Sequence, residues 1–311
     1  MNAPRKAIQP STELALRASQ SQVASALKRP VIILSAPRAG STLLFEYLTG
    51  LGGASWIGGE SHCVFRQFPH LRFENQAMDS ASLNQNHASS ECKRRFRDSV
   101  AYLLRDSEGR RFIQDPQLFL DRPQQFIEKT PRNALNVSFL NQVFPDARFV
   151  FLHRQPQTNI ASIIEAWRLG LQTGRFMTFP KLPGWDRSGW CFLLPPGWRE
   201  FVGKSLAEIA SFQWRLSNQT IVSDLGRLPR QRYSILSYEA LLADPQAILS
   251  RLLDFMSIEN DGAHDSFGLR PSTTTISPPN KHKWEKHRAS IDPLLPSIEL
   301  VRRSINRLVN D

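Results

Sequence analysis

Arg38, Gly40, Ser41 and Thr42 lie together in the run Arg29-Pro-Val-Ile-Ile-Leu-Ser-Ala-Pro-Arg-Ala-Gly-Ser-Thr-Leu-Leu44, a cation and two hydroxyls around a glycine. Residues of these types, so spaced, hold an anion. Val31 to Leu34 are apolar with no polar alternation, the pattern of a strand buried on both faces of a parallel sheet. Ser41 or a neighbour then opens a helix, because Leu43, Leu44, Tyr47, Leu48 and Leu51 recur at helical spacing until Gly50, Gly52 and Gly53 stop it. Such a junction aims free backbone N–H groups and the positive helix end at one point. Laid over the nucleotide-triphosphate loop G-x-x-x-x-G-K-S/T, Ser35 to Thr42 keeps Gly40 and Thr42 but has Ser41 where a lysine reaches the β and γ phosphates. The missing lysine argues against hydrolysis or transfer of a terminal phosphate. A basic turn that holds no ligand is the plainer alternative.

A second charged strand end follows in Asp146-Ala-Arg-Phe-Val-Phe-Leu-His-Arg-Gln-Pro156, where Arg154 closes the strand. Ser162 lies eight positions on, in a helix over Gln157 to Leu169 carried by Ile160, Ile163, Ile164 and Trp167. With a rise of about 1.5 Å per residue, the start of that helix stays near the sheet's carboxyl edge, where open α/β folds bind ligands. Arg154 and Ser162 can therefore meet one phosphate; a surface ion pair is the alternative for Arg154.

These residues need a scaffold, and the rest of the chain supplies the alternation of one. Strands are expected at Phe126 to Lys129, Arg148 to Leu152 and Arg232 to Leu236; helices at Arg132 to Phe144, Lys204 to Leu225 and, opened by its proline, Pro245 to Phe255. The rhythm predicts an α/β fold with a doubly wound parallel sheet. Gly170 to Gly203 interrupts it with Phe176, Phe179, Trp185, Trp190, Phe192 and Trp198 among prolines and glycines. This insertion is either a lid facing an acceptor or a small aromatic core of its own. The stretch from Gly58 to Gln125 is placed to shape the acceptor side as well.

Together the two motifs resemble those of the sulfotransferases that use 3′-phosphoadenosine 5′-phosphosulfate (PAPS). Pro37-Arg-Ala-Gly-Ser-Thr-Leu43 resembles that family's 5′-phosphosulfate loop, P-K/R-S/A-G-S/T-S/T-L/W, and Arg154 with Ser162 resembles its 3′-phosphate pair. Glu128-Lys-Thr-Pro-Arg-Asn-Ala-Leu135 resembles the segment that brings a lysine, here Lys129, to the sulfuryl group. Tyr238-Glu-Ala-Leu-Leu-Ala-Asp-Pro245 resembles a segment whose tyrosine approaches the adenosine, and Lys283-Trp284 a pair whose lysine meets the cofactor. The resemblance implies a P-loop-like three-layer fold with a central parallel sheet flanked by helices. It further implies donor binding by Arg38, Ala39, Gly40, Ser41, Thr42, Leu43, Arg154, Ser162, Tyr238 and Lys283, release of 3′,5′-adenosine bisphosphate (PAP), and no metal.

The second motif often carries aspartates where this chain has Gln155 and Thr158. The cytosolic members place a histidine two residues after the lysine, a position that is Pro131 here. In the protein-tyrosine sulfotransferases, and in a bacterial group this chain resembles most, the base is instead a glutamate in a G-E segment after the first helix. Gly58-Gly-Glu-Ser-His62 is the matching segment, so the resemblance implies Glu60 as general base, with His62 the substitute. Arg38, Lys129 and the backbone N–H groups of residues 38 to 43 would face the negative charge that builds on the leaving phosphate.

A chain of 311 residues with 41% hydrophobic content is enough for one large α/β domain, expected over 29–311, with 1–28 as an N-terminal extension. Within that extension Thr12 to Leu27 suggests an amphipathic helix through Leu14, Leu16, Val23 and Leu27. No secretory signal and no run approaching about 18 apolar residues occurs, so the expectation is a soluble, cytoplasmic protein. Cys63, Cys92 and Cys191 lack C-x-x-C spacing, which suggests neither disulfides nor zinc. The net charge of +11 is dispersed, and the clusters Lys93-Arg-Arg-Phe-Arg97 and Arg110-Arg111 accompany no nucleic-acid signature. A polyanionic donor accounts for part of the excess. The acceptor class stays open among small molecule, carbohydrate and peptide. Two competing readings remain, a nucleotide kinase with a degenerate phosphate loop and a non-catalytic phosphate-binding module.

Overall fold

The computed structural model describes residues 17–50, 53–73, 79–122, 124–257, 272–276, 280 and 282–310. Six strands make the main sheet: β1 (Val31–Leu34), β2 (Ala54–Trp56), β3 (Arg105–Asp106), β4 (Gln125–Lys129), β5 (Arg148–His153) and β8 (Tyr233–Ser237). Two more, β6 (Met177–Phe179) and β7 (Trp190–Cys191), form an antiparallel pair within the aromatic insertion. The order across the main sheet is β3-β2-β4-β1-β5-β8.

β1 lies at the centre, parallel to β4 on one side and β5 on the other, and all four of its residues are buried. Its pleat divides the core. Ile32 and Leu34 join Phe126, Phe149 and Phe151 on one face; Val31 and Ile33 join Ile127, Val150, Leu152 and Leu236 on the other. Because successive side chains point to opposite faces, only a strand without polar alternation can satisfy two helical layers.

The main helices lie where periodicity places them, with ends shifted by a few residues. Gly40 ends the turn and the first long helix runs over Ser41–Thr49; the helix after β5 runs over Pro156–Thr173 and ends on Gly174 in the left-handed region at φ +77°. A capping box of Ser205 and Glu208 starts the helix Leu206–Leu225.

Three expectations differ from what is observed. The sheet is mixed, since β3 pairs antiparallel with β2 at the edge. Its two residues lead into a short turn stabilised by Asp106, which accepts from the backbone N–H groups of Glu108 and Arg110. The helix expected over Arg132 to Phe144 is split into a 3-10 turn, Pro131–Leu135, and a short α-helix, Val137–Val143. Asn136 separates them with φ −128°, and at this break its side chain accepts from the N–H of Leu83. Near the N-terminus Ser19 caps a helix that begins only at Gln20, while Leu14 and Leu16 lie outside the described residues. Val23, Ala26 and Leu27 are buried in the main core.

The insertion's aromatic residues fall into two groups, and its tryptophans form the small core. Trp190 and Trp198 are fully buried, and Trp190 meets Trp167 edge-on at 5.2 Å and Trp185 at 4.7 Å. Phe176, Phe179 and Phe192 instead line a cavity. Gln213, 0% exposed on the helix Leu206–Leu225, ties the insertion down: it accepts from Trp167 Nε1 at 2.8 Å and donates to the carbonyls of Cys191 and Leu193. Gln213→Ala removes three hydrogen bonds and takes the acceptor from the buried Trp167 Nε1, while the Leu193 carbonyl keeps Trp190 Nε1 at 2.8 Å, and is expected to destabilise the protein by about 1–3 kcal/mol. Urea denaturation checks this; an unshifted midpoint counts against the tie.

Candidate active site

β1 delivers the chain to a tight turn at its carboxyl end. Arg38 stands at φ +63° and Gly40 at φ +101°, both in the left-handed region. A Cβ on Gly40 would lie 2.4 Å from Cδ2 of Tyr238, so conformation and packing both require glycine there. The Ala39 N–H donates to the Ala36 carbonyl, closing the turn, and is not turned to the cavity as a donor. The first intrahelical bond of the next helix is that of Leu44 to Gly40, which leaves the N–H groups of Ser41, Thr42 and Leu43 in the unpaired first turn. Gly40, Ser41, Thr42 and Leu43 line a cavity of about 750 Å3 together with Arg38, Glu60 and His62.

The second motif grips this turn directly. Asn159, fully buried, donates to the Pro37 carbonyl at 2.8 Å, and Arg154 Nη1 donates to the Arg38 carbonyl at 3.1 Å. Arg154 Nε donates to Thr158 Oγ1 at 3.2 Å while the guanidinium lies 4.7 Å over the Tyr238 ring. A smaller recess, about 60 Å3, is lined by Arg154, Thr158, Ser162, Tyr238, Lys283 and Glu165. Arg154 and Ser162 thus share one recess with Lys283, whose Nζ is 3.8 Å from Glu165. Lys286 also pairs with Glu165.

Cationic groups crowd here. Burial, then the charges of Arg175 and Arg154, lower the Arg38 pKa to about 10, and burial lowers that of Arg154. Arg38 Nη1 donates to the Thr274 carbonyl at 3.0 Å and its guanidinium stacks 5.1 Å from the Phe176 ring centre. Its buried Nε has no hydrogen-bond partner among the described residues. A buried donor without an acceptor next to open space fits an anion.

The end of β4 brings Lys129 to the opposite side. Its ammonium, 5% exposed, donates to Thr42 Oγ1 at 3.1 Å and pairs with Glu60 Oε1 at 2.7 Å. His62 Nε2 stands 3.2 Å from Glu60 Oε2. Burial would raise the Glu60 carboxyl, but the His62 hydrogen bond and the Lys129 charge outweigh it and lower its pKa to about 2. Cys63 Sγ lies 3.9 Å from the Glu60 carbonyl and does not line the cavity.

Behind this pair is a network that the motif comparison does not mark. Thr130 Oγ1 accepts from the Ser61 N–H at 2.7 Å and donates to Glu128 Oε1 at 2.6 Å; Asn133 donates to Glu128 Oε2. Burial raises the pKa of Glu128, against the hydrogen bonds from Thr130 and Ser61. The loop that carries Glu60 is thereby fastened to the strand that carries Lys129. Glu128, Thr130, Asn133 and Asn159 are polar residues buried with hydrogen-bond partners, and no local sequence signal marks them as such.

A strand-turn-helix cradle at the carboxyl edge of a mostly parallel sheet, flanked by helices, defines the P-loop-like α/β class. The chain belongs to the sulfotransferase family, whose profile matches residues 30–262. It is similar to the sulfotransferase domain from the curacin biosynthetic pathway, with 19% identity over 86% of this chain and 98% of that one, at a TM-score of 0.45. Similar too are a sulfotransferase of Mycobacterium tuberculosis (15% identity, 94% and 81% covered, TM-score 0.48) and one of Alicyclobacillus acidocaldarius (13%, 91% and 97%, 0.48). No curated protein matches the sequence. Among the described residues no helix is long and apolar enough to cross a membrane.

The lowered Glu60 pKa sets a pH dependence of stability. Its folded value, about 2, lies below the ordinary 4.5, so the contribution is present above pH 4.5 and is lost as pH falls toward 2. With the side chain 37% exposed, solvent screening limits it to about 1 kcal/mol. Urea midpoints taken between pH 6 and pH 3 should fall less steeply for Glu60→Gln than for the wild type.

Proposed function

We propose that the protein transfers the sulfuryl group of PAPS to a hydroxyl or amine acceptor, with Glu60 as general base. The observation that carries this reading is Lys129, which touches the phosphate loop through Thr42 and the candidate base through Glu60. One ammonium so placed can sense donor and acceptor together.

PAPS, when bound, supplies an activated sulfuryl group on a phosphate leaving group. The N–H groups of Ser41, Thr42 and Leu43, with Arg38, hold the 5′ phosphosulfate at the positive helix end. Arg154, Ser162 and Lys283 hold the 3′ phosphate in the smaller recess, and Tyr238, between Gly40 and Arg154, is the adenosine-side wall. Two separate phosphate sites fit a nucleotide with both 3′ and 5′ phosphates. The buried, partnerless Arg38 Nε is the donor such an anion satisfies.

Before the donor arrives, Lys129 and His62 keep Glu60 ionised and weakly basic. With the donor bound, Lys129 would face its negative charge, and Glu60, relieved of part of that ion pair, would gain basicity. Glu60 takes the acceptor's proton as the acceptor's oxygen or nitrogen bonds to sulfur. The bond from sulfur to the 5′-phosphate oxygen breaks in line, and its electron pair stays on the departing PAP. Lys129 and Arg38 face that charge as it develops.

Calorimetry separates this reading from its competitors. PAP should bind far more tightly than ATP; the reverse order favours a nucleotide kinase, and indifference to the nucleotide a phosphate-binding module. Arg154→Ala is expected to erase the preference for PAP over adenosine 5′-monophosphate, and retention of that preference removes Arg154 from the 3′ site. Glu60→Gln should lower kcat by about 10²–10⁴-fold with PAP affinity retained. If His62→Gln causes the larger loss, the histidine is the base instead.

A further inference from the structure

The cavity that holds Glu60 also has a lining with no part in donor binding. Phe65, Phe73, Phe176, Phe179 and Phe192 contribute rings to it. Phe73 meets Phe179 edge-on at 6.0 Å, and Phe176 stacks on Phe192 at 5.4 Å, so the walls are mutually packed aromatic surfaces. Arg66 and Arg72 line the same cavity. Arg72 donates to the Arg66 carbonyl through both Nε, at 2.7 Å, and Nη2, which joins the two residues and commits that edge of its guanidinium, and neither arginine makes an ion pair with a described carboxylate. Arg132 adds a guanidinium 4.4 Å over the ring of Phe65.

The charge around this space is one-sided. Glu60 is the single carboxylate among the described lining residues, and it is committed to Lys129 and His62. Aromatic walls favour an apolar body, whereas a polyhydroxylated sugar brings many polar groups to walls with few partners for them. Arginine forks match a carboxylate in two-point contact. A cavity of about 750 Å3, part of it facing the phosphate loop, suits a small molecule.

We propose that the acceptor is a small aromatic compound with a nucleophilic hydroxyl at one end and a carboxylate at the other. Its ring lies among the phenylalanines, its hydroxyl reaches Glu60, and its carboxylate meets Arg66 and Arg72. This assignment rests on the sulfotransfer reading and narrows its acceptor.

The test uses the full chain with labelled PAPS and a matched pair of phenols, 3-(4-hydroxyphenyl)propionate and its methyl ester. The acid should exceed the ester in kcat/KM by about tenfold or more, the factor expected of one charge-assisted hydrogen bond. In the double variant Arg66→Gln/Arg72→Gln that ratio should fall to about one, and PAP titration of the variant reports that it is folded. An ester as good as the acid, or a ratio unchanged in the double variant, overturns the proposal. If neither phenol is sulfated, calorimetry of each against the PAP-bound protein gives the same ratio, and equal or absent binding overturns it equally. Failure of PAP itself to bind is a different result, which removes the sulfotransfer reading on which the proposal rests.

Discussion

The ammonium of Lys129 is the charge around which the site is arranged. It is almost wholly removed from water at the end of β4, and a buried cation persists only where opposite charge and hydrogen-bond acceptors surround it. Glu60 supplies the charge and Thr42 an acceptor, one from the loop after β2 and the other from the first turn of the helix after β1. Three segments far apart in sequence are therefore drawn together by one electrostatic requirement. Removing a partner from such a pair costs about 3–5 kcal/mol when it is fully buried; the partial exposure of Glu60 lowers that figure and lets the pair be rearranged.

The turn after β1 is held by a comparable division of labour. Its backbone takes left-handed conformations at Arg38 and Gly40, and the two residues that grip its carbonyls, Asn159 and Arg154, come from the strand and helix on the other side of β1. Arg154 does two things at once, bonding to the loop and facing the smaller recess. Burial and the like charges of Arg175 and Arg154 lower the affinity of Arg38 for its proton, and burial lowers that of Arg154. Such a site is electrostatically strained until an anion enters, and this favours anion binding over an inert turn.

Much of this was legible in the residues. An unbroken apolar run at Val31 to Leu34 has the pattern of a strand covered on both sides, and Gly40 before Ser41 marks the turn. The eight-residue spacing of Arg154 and Ser162 places one just before a helix and the other two turns into it. The split at Asn136 was not legible, because the periodicity of Leu135, Phe139, Leu140 and Val143 is helical on either side of it; a side chain bonded to Leu83, distant in sequence, decides the break. The edge strand β3 escaped for another reason, since two residues cannot display a period. Glu128, Thr130 and Asn133 read as an ordinary polar turn, and their burial depends on what the fold lays over them.

The sequence by itself determined the local chemistry: a hydroxyl-rich turn suited to an anion and lacking the lysine that grips a terminal phosphate, a second arginine-serine pair, and the strands and helices that carry them. Those features follow from short-range spacing and backbone preference. Only the tertiary structure decided that Lys129 would bridge Thr42 and Glu60, that the insertion's tryptophans would turn inward while its phenylalanines line the cavity, and that Arg66 and Arg72 would stand beside them. Each of these is a contact across the sheet or between loops, set by how buried charge and aromatic surface must be shared among segments that no local pattern connects.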